Sequence, residues 1–478
     1  MQRQNEKQGY QIDMLNGPMA GKLLLFALPL MLSGLLQLLF NAADVVVVGR
    51  YAGKEALAAV GSTSSLINLL VNLFMGFSVG TNVVVARDLG AGREEDVSRS
   101  VHTAIALALI SGVCLTALGL TLARQLLVWT DSAPDVIDLA TVYLRIYFAG
   151  MPFNMLYNFG AAVLRAQGDT RRPLYFLTIA GVVNVVLNLF FVIALHMSVA
   201  GVALATIISQ AISAVLVTGC LMRDQGLLHL DLRALRLDKR VIRRICQVGL
   251  PAGFQGIVFS LSNVVIQSSI NSFGSTAIIA GSAASANIEG FVYTSMNAIY
   301  QTNLTFTSQN YGAGHCKRVD RCLVLCQVYV VVIGLVLGCL VAWCGHPLAS
   351  IYAPGEEDVI QCAMERLSII STTYFLCGIM DTMVGSLRGL GYSMVPMVVS
   401  MVGACGVRLA WIATIFQIYH TPTVLFASYP VSWTITAAVH IAFFFFIRKH
   451  AYAKINGIHG ITPKAASQEE SAQAAKAS

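Results

Sequence analysis

Long apolar runs, broken by short polar segments, follow one another along almost the whole chain. The first set lies at 23–49, 56–86, 101–122, 136–164, 173–195 and 199–222, the second at 246–272, 276–308, 323–343, 359–387, 396–418 and 423–447. Each is longer than about 18 residues, enough for a helix to cross about 30 Å of hydrocarbon. Strands of a membrane barrel would alternate polar and apolar positions over about 10 residues, whereas these runs are continuous. The pattern predicts an all-α integral membrane protein with about twelve transmembrane helices. The first run is too long for a signal-peptide core and lacks a cleavage site, so it is read as a retained span.

The two sets are copies of one unit. Overlaid at an offset of about 222 residues, Ala27-Leu28-Pro29 meets Gly249-Leu250-Pro251, and Asn41 meets Asn263. Gly90-Ala91-Gly92 meets Gly312-Ala313-Gly314, and Leu164-Arg165 with Gly168 and Pro173 meets Leu387-Arg388 with Gly391 and Pro396. Six helices per unit return the chain to the side it started from. The expected architecture is therefore two parallel six-helix lobes related by a pseudo-twofold axis along the membrane normal, with a binding site between them near the midplane. The expected divisions are a cytoplasmic segment 1–20, a first lobe 21–222, a basic linker 223–245, a second lobe 246–450 and a disordered tail 451–478. The repeated glycines are read as helix C-caps, with Arg165 and Arg388 turned toward carbonyls and lipid phosphates.

Composition agrees: 56% of residues are hydrophobic and 12% charged, and the mean hydropathy is +0.69, whereas a soluble chain carries roughly 25% charge. The net charge of +7 sorts by loop. The linker holds Arg223, Arg233, Arg236, Lys239, Arg240, Arg243 and Arg244, while Arg50, Lys54 and Arg124 fall on the other side. By the positive-inside rule both termini are cytoplasmic in a multi-pass cell-membrane protein. The basic balance is a sorting signal and calls for no nucleic-acid partner. The 11 cysteines are scattered through apolar runs; Cys322 and Cys326 lack further ligands for a metal and read as core.

Charged groups inside the runs ask for an explanation, because each costs about 2.5–3.5 kcal/mol at the bilayer centre on insertion scales. In the first run Gln37, Asn41 and Asp44 share one helical face. An Asp lining a cavity beside amides could exchange a proton or hold Na⁺; at the outer mouth it would simply be solvated. Asn154 and Asn158 in the fourth run, and Asn184 and Asn188 in the fifth, are pairs one turn apart, with Thr206 in the sixth. Such pairs either line a site or zip helices together. The second half carries Glu289, Asp381 and Arg408. Arg408 could neutralise one acid, leaving the other to receive a cation. Arg145 is expected to pair with Asp138 or reach outward.

The stretch LLLFALPLMLSGLLQLLFNAADVVVVGRYAGKEALAAVG, the GAG loop and LRAQGDTRRP resemble the multidrug and toxic compound extrusion (MATE) family, over roughly residues 17–450. The resemblance implies a two-lobed antiporter exporting amphipathic, cationic compounds against H⁺ or Na⁺, with antibiotic resistance as the cellular outcome. It implies that Asp44 is the protonation or Na⁺-binding group of the first lobe, with Asn184 and Thr206 as polar partners. Members similar to archaeal ones place a second Asp where this chain has Asn188, and a Tyr where it has Phe40. Asp381 matches the tenth-helix Asp of the sodium-coupled type, whose seventh-helix Glu is replaced here by Phe259; Glu289 is a candidate substitute. The apolar body of the cargo is expected against Phe40, Met31 and Phe153.

The resulting expectation is a secondary active exporter with no cofactor beyond the coupling ion, no enzymatic activity and no obligate protein partner. An ATP-driven pump is dismissed, because no G-x-x-x-x-G-K-[ST] occurs. A lipid or polysaccharide flippase of the related superfold is the rival, and it would favour several basic residues in the cavity. An intramembrane aspartyl protease would need Asp44 and Asp381 within hydrogen-bonding distance. A passive channel would not move cargo against a gradient.

Overall fold

The computed structural model describes residues 10–130 and 134–458, and among them helices account for nearly all of the chain, with no strand. The first lobe comprises α1 (Met19–Val47), α2 (Lys54–Gly90), α3 (Glu94–Trp129), α4 (Pro134–Ala149), α5 (Met151–Ala166), α6 (Arg171–Leu189) and α7 (Ser198–Arg223). The second comprises α8 (Lys239–Asn271), α9 (Thr276–Gly312), α10 (Cys316–Trp343), the short α11 (Gly345–Tyr352), α12 (Glu357–Gly389), α13 (Met394–Ser400), α14 (Val407–Ala413), α15 (Ile415–Ile418) and α16 (Pro422–Ile458). Five-residue π-helical turns extend α1 (Val48–Ala52) and α6 (Phe190–Ala194). Met401–Gly406 joins α13 to α14 in the same way.

Among the described residues ten helices are long and apolar enough to cross a membrane, and α4 with α5 makes an eleventh bent span. The chain is a multi-pass membrane protein. The remaining expected span, α9, is 37 residues long but polar, with Ser282, Ser285, Ser295, Thr302, Asn303 and Thr305 all buried. It packs against α1, α2, α10 and α12, so its polar groups meet protein rather than lipid. Apolar side chains such as Trp343, Ile351 and Phe446 stand exposed on the outside, where acyl chains would cover them.

One expectation is refined and one is corrected. The fourth run is a single bent span that turns by 46° between α4 and α5. Gly150 sits at the break and Pro152 at the start of α5, where proline's missing N–H costs no helical bond. The tail is not unstructured from residue 451, since α16 continues to Ile458. Ala451 and Ile455 are buried in a cluster with Tyr311 and Val319, and the Tyr311 hydroxyl donates to the Ala451 carbonyl at 3.1 Å. Residues 459–478 of that expected tail, and 1–9 of the N-terminal segment, lie outside the described residues.

The pseudo-twofold relation is visible in matched details. Pro29 interrupts α1 and Pro251 interrupts α8. Gly92 and Gly314 end α2 and α9 with φ of +65° and +76°, and Gly168 and Gly391 take +99° and +89° after α5 and α12; L side chains avoid this region. A Cβ on Gly34 would meet Thr294, and one on Gly256 would meet Asn72, which are the same contact in the two copies.

The lobes close on each other along the face that carries the GAG loops and the basic linker. A Cβ on Gly90 would lie 1.9 Å from the Gln309 carbonyl oxygen, and one on Gly312 would lie 2.2 Å from that of Arg87. Asp88, fully buried, accepts both guanidinium nitrogens of Arg244 (2.7 and 3.0 Å), Arg93 at 3.0 Å and Ser100 at 2.8 Å. This charged, hydrogen-bonded cluster ties the end of α2 to the start of α8. That start is itself capped by Asp238, whose carboxylate accepts the backbone N–H groups of Val241 and Arg240 and is held below the usual range by them. Deeper in the seam a Cβ on Gly76 would stand 2.2 Å from the Gly249 carbonyl oxygen, and backbone cannot swing aside. Gly76→Ala is expected to cost about 1–3 kcal/mol as an overpacked contact, read as a lower melting temperature of the purified protein. A wild-type melting curve would show that α2 and α8 are not clamped there.

Candidate functional site

Inside this seam the lobes form two adjoining chambers. The first, of about 320 Å³, is lined by Gln37, Asn41 and Asp44 from α1, Asn154 and Asn158 from α5, Asn184 from α6 and Thr206 from α7. The structure thus brings seven of the sequence-predicted polar residues to one cavity. The α1 face is built by helical spacing, since positions 37, 41 and 44 fall on one side of the turn. Phe40 also lines the chamber, and its ring lies where a Cβ on Gly181 would be. That glycine of α6 makes the space. Met31 and Phe153 are not among the lining residues, and Phe153 is exposed elsewhere.

Asn188 stands behind this wall, fully buried. Its side-chain amide donates to the Asp44 carboxylate and, at 3.3 Å, to Asn184 Oδ1. Asp44 has no cationic partner among the described residues; that amide is the hydrogen bond recorded to it. Its carboxylate therefore keeps acceptor capacity toward the cavity. Oxygens of Asp44, Asn184, Asn188 and Thr206 are hard donors of the type that hold Na⁺, and the carboxylate alone suffices for a proton. Asn158 donates to Asn154 Oδ1 at 3.0 Å, so that pair orders itself along α5.

The second chamber, of about 270 Å³, contains Asp381 together with Tyr293, Gln255, Phe259, Arg165 and Arg388. Met75, Arg165, Asn297 and Gln301 line both chambers, so the two adjoin across a shared wall between the lobes. Asp381 and Asn158 occupy corresponding places in the two copies. The acid is thus an asymmetric feature on a symmetric frame.

Four charged residues sit differently from expectation. Glu289 does not line either chamber. Arg366 of α12 grips both its oxygens at 3.0 and 3.1 Å, Ser285 adds a bond at 3.1 Å, and the ion pair is buried. Arg408 pairs with neither acid: its guanidinium lies 4.1 Å from the centre of the Tyr429 ring and donates to Ser432 at 3.3 Å. Asp138 pairs with Arg124 at 2.8 Å, and Arg145 is exposed. Arg165 and Arg388, read as facing carbonyls and lipid, line the cavity instead. Arg366 was missed; its signal was a basic residue inside the run 359–387, which also carries Glu365 and Asp381.

A family model described as MatE matches this chain twice, over residues 29–190 and 251–413. The chain belongs to the MatE family. Each match falls within one copy of the repeat and ends before that copy's last long helix. This MatE protein is 26% identical over 434 residues to the probable multidrug resistance protein YoeA of Bacillus subtilis, covering 89% of this chain and 93% of that one. It is 26% identical over 394 residues to the probable multidrug resistance protein NorM of Thermotoga maritima, covering 81% and 84%. Its fold superposes on a solved outward-facing multidrug resistance MATE family transporter of the MOP superfamily, with a TM-score of 0.84, 20% identity and coverage of 93% and 98%. The two-lobed architecture of this MatE chain is therefore a known membrane-transporter fold.

Proposed function

We propose that this protein is a secondary active antiporter that exports amphipathic organic compounds in exchange for H⁺ or Na⁺. The observation that carries the reading is Asp44: a carboxylate lining the cavity between two lobes, held by an amide and without an ion-pair partner among the described residues. Such a group can take up and release an ion as its surroundings change, and cargo bound in the same space competes with it. The relatives named as multidrug resistance proteins supply the cargo class. Asp44 and Asp381, the two cavity acids, receive the positive end of an organic cation, and Phe40 receives its apolar body. The face with the closed seam and basic linker lies toward the cytoplasm, by the positive-inside rule. The described state is then the one open to the outside. Glu289 and Arg408 take structural roles, because each already has a partner outside the cavity.

The flippase reading draws support from Arg165 and Arg388 in the cavity. A lipid-linked substrate would also need an apolar exit between helices, and the cavity acids oppose a sugar phosphate.

The test is efflux of a fluorescent organic cation from proteoliposomes under an imposed pH gradient, then an imposed Na⁺ gradient. Uphill movement driven by one of the two is expected. Movement only down the dye's own gradient under both conditions would reduce the protein to a passive channel.

A further inference from the structure

The cavity holds two arginines as well as two acids, and among the described residues neither arginine makes a contact ion pair, although Asp381 shares the chamber and lies near enough to Arg388 to feel its charge. Arg388 is fixed from both sides, donating to the Tyr300 hydroxyl at 2.7 Å and to Gln255 Oε1 at 2.8 Å. The Arg165 side chain makes no hydrogen bond or ion pair among the described residues. The Nε atoms of both are buried without an acceptor. The two residues are pseudo-twofold mates, Leu164-Arg165 answering Leu387-Arg388, and both line the 270 Å³ chamber. They stand near the ends of α5 and α12, toward the closed seam, whereas Asp44 lies far along α1, near its other end. The two arginines thus stand toward the closed seam with Asp381 in the same chamber, and Asp44 stands toward the other end.

A guanidinium desolvated without an anion is costly, and a buried donor left unpaired forfeits its hydrogen bonds. Four charged groups with no net charge among them admit an organic cation at the acids but do not favour it over a cargo charged at both ends. They select a molecule that carries both signs a fixed distance apart.

We infer that Arg165 and Arg388 form an anion subsite, and that the preferred cargo is a zwitterionic amphiphile whose carboxylate or phosphate meets the two guanidinium groups while its cationic end faces Asp44 or Asp381. Charge-assisted bonds from two guanidinium groups reward a planar or tetrahedral oxyanion over a neutral ester of the same shape. This deepens the antiporter reading and rests on its claim that the cavity holds the cargo.

A matched pair of dyes separates the two claims. Rhodamine 6G is a cationic ethyl ester, and rhodamine 19 is the corresponding free acid with the same cationic ring system. Binding of each to the purified full-length protein is followed by fluorescence polarisation. Rhodamine 19 is expected to bind wild type on the order of tenfold tighter than the ester. In Arg165→Gln/Arg388→Gln that ratio is expected to fall to about one through loss of acid-dye affinity, with the ester's affinity little changed. Arg165→Gln alone removes a guanidinium that makes no hydrogen bond or ion pair among the described residues and is expected to keep the fold. With Arg388→Lys, which keeps the charge, it supplies the comparison should the double variant not be recovered. Equal affinities in wild type, or a preference that survives in the folded variants, would overturn the anion subsite. If the two dyes bind equally and the ester is still exported by an ion gradient, the antiporter reading stands without this subsite. If neither dye binds, the cavity is not the cargo site and both readings fall.

Discussion

Asp44→Asn is expected to fold normally, to bind cargo, and to lose ion-driven efflux down to the level of empty liposomes. The substitution keeps the size of the side chain and an oxygen that can accept the Asn188 amide, so the contact that positions the residue survives. It removes only the capacity to change charge. An ion can shift the balance between two conformations only by binding one of them better, and a group that binds no ion shifts nothing. The loss should therefore appear in coupled transport and not in yield or melting temperature. Uphill efflux at wild-type rate by this variant would place the coupling group elsewhere, with Asp381 the next cavity acid to replace.

Glu289→Gln is expected to act in the opposite way, through stability. Arg366 makes a paired contact with both oxygens of this carboxylate, and both side chains are nearly closed to solvent. Removing one member of a buried pair strands the other charge and typically costs about 3–5 kcal/mol. The melting temperature in detergent should fall by several degrees, with reduced yield. Removing both charges together, in Glu289→Gln/Arg366→Met, should recover much of that loss, because no lone charge remains. The double variant should also retain ion-driven efflux. If it folds well but has lost coupling, Glu289 belongs to the ion site after all.

These two acids show where the sequence can be read and where it cannot. The spans were legible because crossing a bilayer demands uninterrupted apolar length. The two lobes were legible because duplicated Pro, Gly and Arg positions survive in both copies. The cavity face of α1 was also legible, since residues 37, 41 and 44 share a side by helical geometry alone and Asp44 is the charge among them. Which charges meet across helices depends on the rotation of each helix about its axis, which local spacing does not encode. Glu289 therefore looked as available as Asp44 until α12 was placed beside α9 with Arg366 facing it. The same rotation turned Arg165 and Arg388 inward. Their signal was present in the identical Leu-Arg of both copies, but a helix-end arginine has an equally good use at a lipid phosphate. The bend at Gly150 was foreshadowed by Pro152, and the extra helix at 451–458 depends on its contact with Tyr311, which is remote in sequence.

The account stands on the claim that cargo and ion compete through Asp44. The direct measurement is the affinity of a cationic dye for the purified protein across a series of pH values and, separately, of Na⁺ concentrations. By linkage the affinity should weaken as H⁺ or Na⁺ rises, approaching a tenfold loss for each tenfold rise in the coupling ion once the site is saturated, and Asp44→Asn should bind the dye without that dependence. Dye affinity in wild type that is indifferent to both ions, or an ion dependence that persists unchanged in Asp44→Asn, would contradict it.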